Sequence, residues 1–324
     1  MSSRKSIQAS TDAFLRVVQA RCCVMAGVRF QHSQAVKKAF AECQSTVQRN
    51  DREGFVWVNT LQPSTRAPVM MLRALNAEIS TIGDSVSHGG DAMREIKFQW
   101  WKDAIASCFK GKEVKHPVIE ALAFCNSIRP LSQYRLQRML EAKREDQCEH
   151  RPFQTMQSLE DFAESTQSQL AYLQLQAAGV MNSDADHAAS HLGKAIGITS
   201  MLRGMHQFLK QGVHYFPVDL CTKNNVVPER LLQGEGLDSE AVREVVYEMA
   251  SVAHVHLTHS IELHGRAEKL SREAKHAMLS RVSCQLFLQA LQRSDFHLFS
   301  SRMRGGGFSP LWYTLRVQWA RARL

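Results

Sequence analysis

His187 and His191 stand four residues apart on a predicted helix, directly after Asp184 and Asp186. Two imidazoles one turn apart can share a Zn²⁺ ion. No third ligand is identifiable in the sequence, and no Glu follows the first His as the metalloprotease motif requires. The pattern therefore reads as helix capping by Asp184 or Asp186, with two histidines packing or bonding locally, and no metal is expected. In a second cluster, His254, His256, His259 and His264, residues 256 and 259 share a helical face while 254 lies nearly opposite 256. That reads as a partly solvated helix; the one chemistry it suggests is pH sensing. Cysteines at 22, 23, 43, 108, 125, 148, 221 and 284 contain no Cys-x-x-Cys pair, which removes zinc-ribbon and thioredoxin signatures and leaves reduced thiols. Ser/His/Asp signatures, phosphate loops and dinucleotide fingerprints are absent.

The C-terminal helix offers a surface instead of a reaction. Leu311, Trp312, Leu315, Trp319 and Ala322 fall within one arc of about 100° by the helical period, with Arg316 and Arg323 on one border and Arg321 beyond the other. Such a stripe either packs into the body or meets an anionic membrane surface. Trp312, Arg316, Trp319 and Arg323 are the candidate membrane contacts.

The elements that must carry these residues are helical. The chain has 324 residues, 44% of them apolar and 22% charged, with only 17 Gly and 8 Pro; a sizeable core with long helices follows. Apolar residues recur at three- and four-residue spacing, predicting helices at 34–49, 66–87, 91–109, 117–128, 131–144, 157–179, 185–211, 238–266, 272–294 and 308–321. Gly89-Gly90, His116-Pro117 and Gly305-Gly306-Gly307 punctuate them, and 212–236 reads as a structured connection. One all-α domain is expected over 46–324. The formal charge is +9, but Arg4, Lys5, Arg16, Arg21, Arg29, Lys37 and Lys38 oppose only Asp12 in the first 41 residues. That basic, Ser-containing, amphipathic segment reads as a mitochondrial transit peptide over residues 1–40, the bland reading being a disordered tail. No stretch reads as a transmembrane span, so membrane attachment must be peripheral, and no RNA signature accompanies the positive charge.

Two segments carry a resemblance. Leu192-Gly193-Lys194-Ala195 runs through Ser200-Met201-Leu202-Arg203 into Tyr215-Phe216-Pro217, and this is similar to the second signature of squalene and phytoene synthases. Arg73-Ala74-Leu75-Asn76-Ala77-Glu78-Ile79-Ser80 resembles their first aspartate-rich helix, and Lys97-Phe98-Gln99-Trp100-Trp101-Lys102 the helix that follows it. The resemblance implies an isoprenoid-synthase-like helical bundle. In that family paired carboxylates on two facing helices hold Mg²⁺, which takes up the charge of a departing diphosphate. Here the first pair corresponds to Asn76 and Ser80 and the second to Gly204 and Phe208, with Ser200 at the preceding asparagine position. All four clamp carboxylates are missing, so a diphosphate would face Arg73, Arg203 and Tyr215 without its metal. Asp84 shares the face of Asn76 and Ser80 but makes half a site at best, and Glu78 points elsewhere.

The chain further resembles the mitochondrial respiratory complex I assembly factors that have a squalene/phytoene synthase-like domain. The carrying residues are Arg73-Ala74-Leu75-Asn76, Phe98-Gln99-Trp100-Trp101-Lys102, the run from Leu159 to Ser168, the run from Asp184 to Ala195, and Ala253-His254-Val255-His256-Leu257. This implies a pseudo-enzyme with no catalytic residues and no cofactor. It would contact complex I subunits or assembly intermediates from the matrix side of the inner membrane. A fold built around prenyl tails leaves an apolar cavity for an isoprenoid or lipid unless side chains such as Phe208 fill it. The alternative is an active or ligand-binding prenyl-diphosphate transferase, which alone would need Mg²⁺.

Overall fold

The structure, a computed structural model, describes residues 33–83, 90–266 and 271–323. Residues 1–32, Asp84 and the side chain of His264 lie outside it. Among the described residues every regular element is helical. The first, α1 (Ser33–Asn50), buries Val36, Ala39, Phe40, Cys43 and Val47 as one stripe. The packed body therefore includes α1 and reaches well before residue 46, because three of those core side chains belong to the segment expected to be transit peptide or tail.

Asp51 caps α2 (Arg52–Val58) by accepting the Gly54 N–H at 2.9 Å. Pro63 opens α3 (Pro63–Ser80), where its missing N–H costs nothing. Then come α4 (Gly90–Phe109), α5 (Pro117–Ile128) and α6 (Gln133–Glu149), the last running a turn beyond its predicted end. The single helix predicted over 157–179 is α7 (Met156–Ala163), a π-helical turn at Glu164–Ser168, and α8 (Gln169–Ala178). Thr155 starts it with a reciprocal capping box to Ser158, and Gly179 ends it in the left-handed conformation.

Asn182 caps the long α9 (Ser183–Lys210). The connection expected over 212–236 contains α10 (Val218–Lys223) and α11 (Pro228–Leu232), and α12 (Glu240–Arg266) follows. The helix predicted over 272–294 divides into α13 (Arg272–Ala277) and α14 (Arg281–Arg293), and a 3₁₀ turn at Ser301–Gly306 leads into α15 (Pro310–Ala322).

Two apolar clusters form the core. One gathers α1 to α6 and α8 around Trp57, Leu72, Leu75 and Phe98. The other gathers α7, α9, α12 and α14 around Leu192, Ile198, Phe216 and Phe287. The polar recess described next lies between α3 and α9, with α2, Gln167 of the π-helical turn, and Ser280 and Ser283 at the start of α14 closing its sides.

Candidate functional site

Arg73, Asn76 and Ser80 lie at three- and four-residue steps on α3, so they share a face. Ser200 and Arg203 face them from α9. These five side chains, with Asp51 and Glu53 from the start of α2, line a recess of ≈ 240 Å³. That is below the ~300–1,000 Å³ typical of small-molecule pockets.

Its charges are already paired. Arg73 donates Nε to Asp51 Oδ2 at 2.5 Å and adds a second contact from its terminal nitrogen. Gly54 makes room for this pair: a Cβ there would lie 2.1 Å from Asp51 Oδ2 and 2.7 Å from Arg73 Nε. Arg203 grips Glu53 with both terminal nitrogens, Nη1 reaching Oε2 at 2.9 Å. Two parallel charge-assisted bonds are the strongest arrangement a guanidinium makes with a carboxylate. Tyr313 of α15 donates its hydroxyl to the Glu53 carbonyl at 3.2 Å and ties the C-terminal helix to the same spot.

A cation that was not anticipated enters from α6. Lys143 is 6% exposed and donates its ammonium to Ser80 Oγ, which in turn donates to the Asn76 carbonyl at 2.8 Å. Burial lowers the Lys143 ammonium to about 8, against the pull of Asp146, while Arg73 lowers it further. Burial also raises the Asp146 carboxyl to about 6, although a hydrogen bond from Tyr215 and the nearby Lys143 oppose that rise. Tyr215, buried and pushed upward by desolvation and by Asp146, belongs with Asp146 and does not line the recess with the two arginines.

Gly204 and Phe208 are also outside the recess lining. The Phe208 ring folds back over Gly204, so a Cβ at 204 would meet it at 2.4 Å, and the ring packs edge-on against Tyr215 at 4.6 Å. A carboxylate at 204 and this position of Phe208 exclude each other. Glu78 turns away from the recess toward His116, 3.4 Å away on the far side of α3.

Magnesium does not fit this donor set. It requires hard anionic oxygens in octahedral geometry, and here Asn76, Ser80 and Ser200 supply neutral ones. The two carboxylates at the rim are held by arginines, and an ammonium already contacts Ser80. One acceptor is left over: Asn76 Oδ1 is buried without a hydrogen-bond partner.

The C-terminal stripe faces outward. Leu311 is 70% exposed and Leu315 54%, while Tyr313 and Val317 on the opposite face are buried and anchor α15. Arg316 lies over the Trp319 ring at 4.9 Å and Arg323 at 3.6 Å. Among the described residues nothing packs over this stripe.

Residues 47–312 match the squalene/phytoene synthase family. The chain belongs to that family. The squalene/phytoene synthase fold is seen again in a ligand-bound dehydrosqualene synthase, with a TM-score of 0.76 and 17% identity over 90% of this chain and 98% of that one. A squalene synthase from Alicyclobacillus acidocaldarius gives 0.70 and 16% over 81% and 95%. These likenesses show the fold alone. In sequence the chain is more similar to Homo sapiens "NADH dehydrogenase (ubiquinone) complex I, assembly factor 6", with 32% identity over 79% of this chain and 75% of the relative. The Drosophila melanogaster homolog of that factor is 30% identical over 79% and 76%.

Lys143 and the two carboxylates, Asp51 and Glu53, are what sequence reasoning missed. The available signals were a lysine in the apolar row of α6 and an Asp-x-Glu at a helix start. Neither spacing says that they meet Ser80 and the arginines.

Proposed function

We propose that this chain acts in the assembly of respiratory complex I as a pseudo-enzyme on a squalene/phytoene synthase scaffold. It works through contacts with complex I subunits or assembly intermediates at the matrix face of the mitochondrial inner membrane. The names of its 30–32% identical relatives support the assembly role. The observation that carries the pseudo-enzyme reading is the neutralised recess: Arg73 on Asp51, Arg203 on Glu53, and Lys143 on Ser80. A leaving diphosphate must displace two internal carboxylates and do without a metal. Loss of even one transition-state charge stabiliser typically costs about 3–4 kcal/mol.

Attachment is peripheral. Among the described residues no helix is long and apolar enough to cross a membrane. The outward Trp312, Leu315 and Trp319 with Arg316 and Arg323 suit the boundary between acyl chains and anionic headgroups. Deleting the gene product and resolving complex I on native gels tests the reading. Reduced complex I with accumulated assembly intermediates is expected, and normal levels of both reject the assembly role.

The alternative is a prenyl-diphosphate protein, in which the unpaired Asn76 Oδ1 of the recess wall would accept from a metal-bound water, since an acceptor cannot bind a diphosphate oxygen itself. Mg²⁺-dependent diphosphate release from farnesyl or geranylgeranyl diphosphate, lost on replacing Arg73 and Arg203, would establish it.

A further inference from the structure

The N-terminal half of α9 lies along α12, and the fold brings the two histidine pairs of these helices together. His191 is the hub. Its ring centre is 5.1 Å from that of His187, 5.1 Å from that of His256 and 5.3 Å from that of His259. The Nδ1 atoms of His191 and His256 point at each other across 2.8 Å. On its other side, His256 Nε2 lies 2.8 Å from Glu160 Oε2 of α7. His256 is 9% exposed, whereas His187 and His259 are open to solvent.

We propose that His187, His191, His256 and His259 form a binding site for one divalent transition-metal ion of the zinc class, with Glu160 as the positioning residue for His256. Around tetrahedral Zn²⁺, with Zn–N of about 2.0–2.1 Å, two ligand nitrogens stand about 3.3 Å apart and their ring centres about 5.2 Å apart. Three of the six separations such a site needs, those that share His191, already have that value; the other three close only when His187 and His259 turn inward. The facing nitrogens need to part by only about half an ångström to admit the ion.

As the rings stand, no three His, Cys, Asp or Glu side chains among the described residues surround one point. His187 and His259 complete the site by turning about their side-chain bonds, which exposed rings do freely. All-imidazole coordination suits Zn²⁺, Cu²⁺ or Ni²⁺ and disfavours Mg²⁺ or Ca²⁺.

Protonation favours the site too. A metal needs a neutral imidazole with a lone pair aimed at it. Glu160 accepts the Nε2–H of His256, which leaves the Nδ1 lone pair facing inward; carboxylate partners orient metal-binding histidines in the same way. Without metal, His191 Nδ1–H donates to that lone pair across the 2.8 Å contact; an entering ion would replace this proton, and neutral His191 would then carry its proton on Nε2. The ion would clasp α9 to α12, with α7 held through Glu160.

The test is calorimetric titration of the tag-free full chain with Zn²⁺, alongside metal analysis of the protein as purified. One equivalent bound at micromolar or tighter affinity is expected. His191→Ala should weaken it by more than about 100-fold, and Glu160→Gln by about 10- to 100-fold. A His187→Ala/His259→Ala double variant touches only exposed rings and keeps the test valid should buried substitutions disturb folding. It should also lose the site, whereas His254→Ala, on the opposite face of α12, should not. Absence of stoichiometric binding, or binding that the double variant leaves intact, overturns the proposal.

Discussion

The arginines of the recess and those of α15 are the same side chain under opposite conditions. Arg73 and Arg203 sit between helices and have each acquired a carboxylate, Asp51 and Glu53, from the start of α2. Arg316 and Arg323 lie over the Trp319 indole of an outward-facing helix. Inside, a cation without a counter-charge costs several kcal/mol, so the fold supplies the anion itself. Outside, water screens the charge, and the cations stay available to an external anion. The difference teaches that a family's binding position is no evidence for binding once the chain has answered its charges. The groups still open to a partner are at the periphery.

Breaking an internal pair should have the largest effect. Asp51→Ala removes both the partner of Arg73 and the cap of α2, and should lower unfolding free energy by about 2–3 kcal/mol in urea titrations. The double variant Asp51→Ala/Arg73→Met should recover part of that loss, since no stranded cation remains. A double-variant loss equal to the sum of the Asp51→Ala and Arg73→Met losses would mean that the pair is not coupled.

Lys143 comes next, with the opposite sign. Its folded pKa of about 8 lies below the ordinary lysine value of 10.5, so the unfolded chain binds more protons between those two pH values. Wild-type stability should therefore rise as pH goes from 8 to 10.5, and below 8 the cost of burying the ammonium is present in full. Lys143→Met should be more stable at pH 7 by on the order of 2 kcal/mol, with the advantage fading above pH 10. A pH-independent difference would contradict the buried ammonium.

The smallest effect on stability belongs to the exterior. Trp312→Ala/Trp319→Ala should shift unfolding by about 0.5 kcal/mol or less, because both rings are exposed. The same variant should lose flotation with anionic vesicles. Undiminished flotation would remove α15 as the membrane contact and with it the outer half of the comparison.

Much of this was legible in the sequence. The helical class follows from spacing and from scarce Gly and Pro, and placing Arg73, Asn76 and Ser80 on one face needs only the 3.6-residue period. What could not be read is what lies opposite them. Lys143 meets Ser80 across 63 residues of chain, and the helix carrying it was expected to end at 144, short of Asp146. Asp51 and Glu53 fall between two predicted helices, and their residue types serve equally as an N-cap or an ion-pair partner, so the sequence does not mark them for the arginines. His187 and His191 appeared to lack a third neighbour for the same reason: His256 lies 65 residues from His191. The α15 stripe has one helical pattern whether buried or exposed, and only tertiary packing, through Tyr313 and Val317, decides which face goes in.

The central claim is that the recess no longer performs metal-assisted diphosphate chemistry. It is tested most directly by incubating the purified full chain with farnesyl diphosphate and Mg²⁺ and measuring released diphosphate. The account expects no release above the enzyme-free background, and none gained on adding more Mg²⁺. Mg²⁺-dependent release that disappears in Arg73→Ala and Arg203→Ala would contradict it.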